Sequence, residues 1–63
     1  MMHAENLKRF EGKNVDVTYE GKESGKITGK VEEITASRIT IDYDTGIQHI
    51  PIVDIEKIEE AEE

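Results

Sequence analysis

The chain has 63 residues, enough for one domain with one hydrophobic core. It has no cysteine, which excludes disulfides and thiolate metal sites and leaves oligomerisation as the means of reinforcing so small a core. Its net charge of -7 opposes generic binding to nucleic-acid phosphates. No apolar run is long enough for a membrane helix or a signal-peptide core. We therefore expect a single cytoplasmic domain, residues 1–63, with no role at a membrane.

The negative charge is concentrated near the C-terminus. Residues 54–63, DIEKIEEAEE, hold six acids and one base, so nine acids and seven bases remain in residues 1–53, a net charge of -2. We expect residues 59–63 to form a solvated acidic tail and residues 1–3 to be a disordered start. A tail that docks on a basic partner is the alternative interpretation.

The first predicted element is a short helix over residues 4–11, AENLKRFE. Leu7 and Phe10 lie three residues apart and share one face of it. Gly12 is a natural C-terminal stop. Because eight residues are too few to sustain an isolated helix, Leu7 and Phe10 must pack on a larger element, which we expect to be a sheet.

Five short strands are predicted after the helix. The first, KNVDVTYE, alternates strictly and points Val15, Val17 and Tyr19 inward. Polar or tight turns separate the strands, and Pro51 ends the fourth because it lacks an N–H group. PIVD then suits one turn of 3₁₀ helix. The predicted strands cover residues 13–20, 26–35, 38–43, 47–50 and 55–58.

The second strand changes phase halfway along its length. Ile27, Gly29 and Val31 alternate, but the next apolar residue, Ile34, follows three residues later. A glycine and an extra residue at Glu32–Glu33 allow such a strand to bend sharply. We therefore predict a mainly β fold, a small five-stranded bent antiparallel barrel with a short N-terminal helix. The predicted core is Leu7, Phe10, Val15, Val17, Ile27, Val31, Ile34, Ile39, Ile41, Ile50, Ile55 and Ile58.

The segment LKRFEGKNVDVTYEGKESGKITGKVEEI, residues 7–34, resembles the opening of Sm-like proteins, which are SH3-like small barrels. In that family a short helix precedes a V-x-V strand, a glycine-containing turn and a bent strand of the form G-x-hydrophobic-x-x-hydrophobic. The matching residues are Val15, Val17, Gly21, Gly25, Gly29, Val31 and Ile34. The resemblance extends from about Leu7 to Ile58. It implies the fold and ring assembly, in which strand four of one subunit pairs with strand five of the next.

The RNA-base pocket of the Sm-like family does not transfer to this chain. Thr35 stands where the family has an Asp, and Arg38 and Ile39 occupy the region of its Asn. Ile50-Pro51 stands near the place of the family's basic residue–glycine pair. The resemblance therefore implies the fold without the uridine-binding residues.

No catalytic residue, cofactor or metal site is predicted, and we do not expect an enzyme. His3 and His49 are the only histidines, and neither has the spacing of a catalytic triad. A metal site formed by His49 with Asp42 or Asp44, across the hairpin of strands three and four, is the less favoured alternative. The paired carboxylates Glu32–Glu33 are better explained as solvated surface groups than as a cation site.

The preferred hypothesis is a non-enzymatic interaction or assembly module. It self-associates as a homo-oligomer, or binds a protein partner, through strand edges. The candidate self-association residues are Ile47, Ile50, Ile52 and Ile55. They put more isoleucine into strands four and five than so small a barrel easily hides, so some of these side chains should face a neighbour.

The alternative hypothesis is an Sm-like RNA-associated protein that uses a nonstandard surface. Lys22, Lys26 and Lys30 are the candidate nucleic-acid patch, since they form the one cationic cluster in the sequence. A solvated strand face is the simpler explanation of these lysines. Salt-dependent binding to single-stranded RNA distinguishes this hypothesis from the first.

Overall fold

The computed structural model describes residues 3–22 and 24–61, which form one five-stranded antiparallel sheet with short helical segments. The elements are α1 (Ala4–Leu7), a 3₁₀ turn (Lys8–Phe10), β1 (Asn14–Glu20), β2 (Ser24–Ile34), β3 (Arg38–Tyr43), β4 (Gly46–Pro51), a second 3₁₀ turn (Ile52–Asp54) and β5 (Ile55–Glu60). The strand order is β4-β3-β2-β1-β5. The predicted mainly β fold is confirmed. No helix in the described part of the chain is long and apolar enough to span a membrane.

The sheet curls around one core but does not close into a barrel. Among the described residues, β4 and β5 are the two edges, and no strand pairing joins them. The Gln48 side-chain amide on β4 nevertheless donates a hydrogen bond of 3.3 Å to the Tyr19 hydroxyl on β1. A flat sheet would hold these two strands about 14 Å apart. The contact therefore reflects the curl of the sheet, which brings β4 back toward β1.

The predicted phase break in β2 is confirmed as a β-bulge. Val31 pairs with Ile41 and Glu33 pairs with Thr40, so Glu32 is an extra residue on the β2 side. Such a bulge bends the strand that carries it and increases its local twist. The change of apolar spacing in the sequence therefore has an architectural cause.

Gly29 lies just before the bulge, where β3 passes very close to β2. A Cβ atom at this position would lie 2.5 Å from the Asp42 carbonyl oxygen and 2.7 Å from the Ile41 Cγ2 atom. Both distances are far inside van der Waals contact. Glycine therefore permits the close approach of β3 that the curled sheet requires.

The core contains the predicted helix residues and the inward residues of every strand. Ile34 and Ile58 are only partly buried and pack at its border. Ile52 was not predicted to be buried, yet it is 4% exposed. The 3₁₀ turn after β4 explains the difference, because the Ile52 N–H donates a 2.9 Å hydrogen bond to the Ser37 carbonyl and folds the chain back over the core. The buried apolar residues are Leu7, Phe10, Val15, Val17, Ile27, Val31, Ile39, Ile41, Ile50, Ile52 and Ile55.

The N-terminal helix is shorter than predicted. It tightens into a 3₁₀ turn that ends at Phe10, and Gly12 follows with a positive φ of 80°. The His3 carbonyl accepts a hydrogen bond of 2.9 Å from the Asn6 N–H. The rest of the expected disordered start, residues 1–2, lies outside the described residues.

The acidic C-terminal residues belong largely to an edge strand rather than to a tail. Glu59 and Glu60 lie within β5, and the Ala61 N–H donates a hydrogen bond of 2.9 Å to the Asn14 carbonyl on β1. Residues 62–63 of the expected tail lie outside the described residues. Pairing with β1 therefore holds acidic side chains along one border of the sheet.

Candidate functional site

One border of the sheet presents backbone groups that no described strand uses. The Thr35 N–H donates to the Arg38 carbonyl at 2.9 Å, so the backbone of Arg38 faces β2. Alternate residues of a strand face opposite sides, so the next residue, Ile39, faces β4 and pairs with Ile50.

The same alternation decides which groups of β4 are free. Gln48 and Ile50 turn their backbone groups toward β3, where they pair with Ile41 and Ile39. The N–H and C=O groups of Ile47 and His49 therefore point away from the sheet. We call this border, residues 47–51, the β4 edge.

The side chains along the β4 edge are uncharged. Gly46–Pro51 includes no Asp, Glu, Lys or Arg. Ile47 is 61% exposed, although it is a large apolar residue. His49 is exposed, and its Nδ1 atom lies 2.9 Å from the Thr40 hydroxyl, with which it shares a hydrogen bond. Pro51 limits the edge at one end because it has no N–H group to offer.

The opposite border, β5, has different properties. Ile55–Glu60 includes Glu56, Glu59 and Glu60 against one base, Lys57. Thr18 pairs with Lys57 and Tyr19 pairs with Ile55, so Glu56 is an extra residue that forms a bulge. Charged side chains and bulges are the usual means by which proteins protect an edge strand from pairing. The β5 border is therefore protected by charge and by a bulge, whereas the β4 edge is limited only at its Pro51 end.

The isoleucines predicted for self-association do not share one exposed surface. Ile50, Ile52 and Ile55 are 1%, 4% and 8% exposed, so their side chains are core residues and cannot face a neighbour. The curled sheet and the 3₁₀ turn after β4 enclose these three side chains, while self-association through the strand edge stays a prediction. Only Ile47 remains available. Val53, which the sequence pattern did not single out, is 75% exposed in the second 3₁₀ turn.

A cleft of about 450 Å³ adjoins the β4 edge where β4 diverges from the end of β1. Tyr19 and Gln48, which share a hydrogen bond, both line it. Its lining combines an apolar wall with amide, phenol, imidazole, ammonium and carboxylate groups, so it can receive a polar side chain from a strand docked beside β4. The lining residues are Tyr19, Lys22, Gln48, His49, Ile50, Pro51 and Asp54.

The three lysines of the candidate nucleic-acid patch are interspersed with acids. Lys26 and Lys30 share the outer face of β2 but lie about 13 Å apart along the strand. Between them Thr28 donates a hydrogen bond to the Asp16 carboxylate. Lys22 lies in the turn before β2 and lines the cleft that also contains Asp54. The fold therefore does not gather these lysines into one cationic surface.

Lys30 is also placed beside a carboxylate by the strand register. It pairs directly with Asp42 on β3. Opposite charges on directly paired residues of neighbouring strands attract one another, which lowers the positive potential that Lys30 presents to a phosphate.

No metal centre is assembled from the candidate ligands. Within residues 3–22 and 24–61, no group of three or more His, Asp or Glu side chains converges in a way that could hold a metal ion. His49 is hydrogen bonded to Thr40, and Asp42 and Asp44 are exposed. Glu32 and Glu33 are exposed at the β2 bulge. These side chains have the environment of solvated surface groups.

Comparison with family models, with curated proteins and with solved structures finds no match to this chain. The properties of the β4 edge and of the adjoining cleft are therefore the basis for inferring a function.

Proposed function

We propose that this protein is a cytoplasmic, non-enzymatic interaction module that self-associates, or binds a protein partner, by strand addition at the β4 edge. The observation that carries the proposal is an unprotected edge whose exposed side chain is a large isoleucine, Ile47. An added strand would satisfy the backbone groups of Ile47 and His49. Covering Ile47 would contribute about 1.5–3 kcal/mol from its apolar surface.

The size of the chain supports assembly. A domain of 63 residues with no cysteine has a small core and no disulfide, so it gains stability from any apolar area that it buries against a second chain. We also propose that the chain is a divergent Sm-like protein, a family that assembles through strand edges. The β4 edge of the sheet is consistent with assembly through a strand edge.

We expect Ile47→Lys to weaken self-association by on the order of ten- to a hundred-fold, because a charged side chain replaces the apolar one that a partner would cover. The measurement is light scattering over a range of protein concentrations at low and high salt. Each copy carries a net charge of -7, so screening by salt should strengthen assembly of the unsubstituted chain.

Val53→Lys is the matched control for this experiment. Val53 is 75% exposed and receives the same added charge, but it lies in a 3₁₀ turn rather than on a free strand edge. Its association should equal that of the unsubstituted chain. A monomer at both salt concentrations, or equal weakening by the two substitutions, would contradict the proposed role of the β4 edge.

We further expect no tight binding of U-rich RNA. The family pocket residues are missing, Asp16 and Asp42 lie among the outer lysines, and the net charge is -7. Fluorescence anisotropy with labelled oligouridine at physiological salt is the measurement, and Lys26→Glu is the comparison variant. A submicromolar Kd that Lys26→Glu weakens would instead favour the RNA-associated alternative.

A further inference from the structure

We propose that the partner of the β4 edge is the β4 edge of a second copy, joined antiparallel about a two-fold axis that passes beside Gln48. The two sheets then form one continuous sheet with both Ile47 side chains on the same face. This inference rests on the proposed function and names its partner. It predicts a closed dimer, because an isologous interface uses the same surface on both copies and leaves none for a third.

Because β5 is charged and bulged and β4 is not, we expect each copy to contribute its β4 strand to the interface. Pairing β5 with β5 would bring Glu56, Glu59 and Glu60 of each copy close to the same acids of the other. Pairing β4 with β5 would require the bulged, charged strand as one half. The β4 edge has neither a bulge nor an Asp, Glu, Lys or Arg side chain, so two copies of it meet without the carboxylate repulsion of β5.

Pro51 and the turn between β3 and β4 together select the register. A register with Ile47 opposite Ile47 would place His49 beside Thr45 in that turn, outside β4. The outward backbone groups belong to Ile47, His49 and Pro51, and Pro51 has no N–H to donate. If Ile47 lay opposite Pro51 of the other copy, the Ile47 carbonyl would be covered without a donor. If Ile47 lies opposite His49 of the other copy, both residues exchange N–H to C=O hydrogen bonds and Pro51 stays outside the paired region. Gln48 then lies directly opposite Gln48 of the other copy.

This register also gives the exposed apolar side chain a suitable neighbour. Directly paired residues share a face of the sheet, so each Ile47 lies beside the imidazole of His49 in the other copy. His49 is held against the Thr40 hydroxyl at 2.9 Å, which orients its ring on that outer face. The contact covers Ile47 with an imidazole ring and buries no ion pair.

Disulfide trapping of Gln48→Cys tests the pairing and its register. The chain has no cysteine, so any disulfide must join two copies. Directly opposite residues at a non-hydrogen-bonded position have Cα atoms about 4.5 Å apart, a distance that a disulfide can span. We expect oxidised Gln48→Cys to become a covalent dimer, and light scattering of the unsubstituted protein to give the mass of two chains.

His49→Cys is the register control. In the proposed dimer the two His49 positions are diagonal and about 7–8 Å apart, so their disulfide should form about ten-fold or more slowly. A melting curve of each reduced variant checks that it folds, and the light-scattering mass provides a readout that needs no substitution.

Any trapping or light-scattering result that differs from these expectations would contradict the proposed dimer. Faster trapping of His49→Cys, or an assembly larger than two chains, would exclude this dimer while leaving self-association through strand edges intact. A monomer at every concentration would exclude both the dimer and the self-association on which it rests.

Discussion

Replacing Ile41 with alanine is expected to lower the free energy of unfolding by about 2–5 kcal/mol. Ile41 is fully buried on β3, between Val31 on β2 and Gln48 on β4. Removing its outer methyl and methylene groups loses apolar burial and leaves a cavity, since the surrounding strands are hydrogen bonded and relax little. The total stability of a domain this small is only about 3–9 kcal/mol, so the loss is a large share of it.

Urea denaturation followed by circular dichroism measures this effect, and Ile47→Ala is the matched control. The same atoms are removed at a position that is 61% exposed, so the monomer's stability should change by no more than about 0.5 kcal/mol. The control is measured at low protein concentration, where self-association does not contribute. If Ile41→Ala proves fully unfolded, Ile41→Val should still fold, with a loss of about 0.5–1.5 kcal/mol. Equal effects at positions 41 and 47 would contradict the assigned core.

The sequence pattern was sufficient to predict most of the fold, because strand alternation reports directly on which face is buried. The bounds of β3 agree with the prediction, and the extra residue at Glu32 was visible as a change in apolar spacing. Alternation predicts burial reliably only inside a regular strand. Ile52 lies just past β4 in a 3₁₀ turn, where strand alternation no longer applies, so its burial was not predicted.

The candidate site was less predictable, because strand edges are properties of topology rather than of local sequence. Isoleucines in strands four and five have similar surroundings in the sequence, yet Ile50 is 1% exposed and Ile47 is 61% exposed. Their difference follows from alternation, because they lie three positions apart and therefore on opposite faces of β4. What the local sequence does not show is that β4 is a border of the sheet. Residues 59–63 likewise look like a solvated tail until the pairing of Glu59 and Glu60 with β1 is known, and that pairing lengthens β5, the protected border.

The lysines illustrate the same limit. Lysines that are close in the sequence form a cationic surface only if the paired strands place no acidic side chains between them. Asp16 lies opposite Thr28, between Lys26 and Lys30, although it is ten or more residues away from both in the chain. Long-range pairing of this kind cannot be inferred from composition, and it changes the electrostatic potential that a nucleic acid would meet.

Gly29→Ala is expected to lower the free energy of unfolding by about 1–3 kcal/mol, although it adds only one methyl group. The new Cβ would lie 2.5 Å from the Asp42 carbonyl oxygen and 3.0 Å from Tyr43 Cβ, and these atoms belong to or sit close to the backbone of β3. Relief requires β3 to move away from β2 at the place where the sheet bends. The modest gain from a less flexible unfolded chain, about 0.4–1 kcal/mol, does not offset this cost.

Gly25→Ala is the comparison that isolates the cause. Gly25 lies in the same strand and on the same face, but the nearest atoms to its added Cβ are the Tyr19 hydroxyl oxygen at 2.9 Å and Tyr19 Cζ at 3.1 Å. These atoms are at the end of a side chain that borders an open cleft, so the ring can shift with little change in the backbone. Urea denaturation of both variants should therefore show a clearly larger loss for Gly29→Ala. An equal or smaller loss at Gly29 would mean that the β2–β3 approach is not tight, and that the bulge at Glu32 alone accommodates the bend.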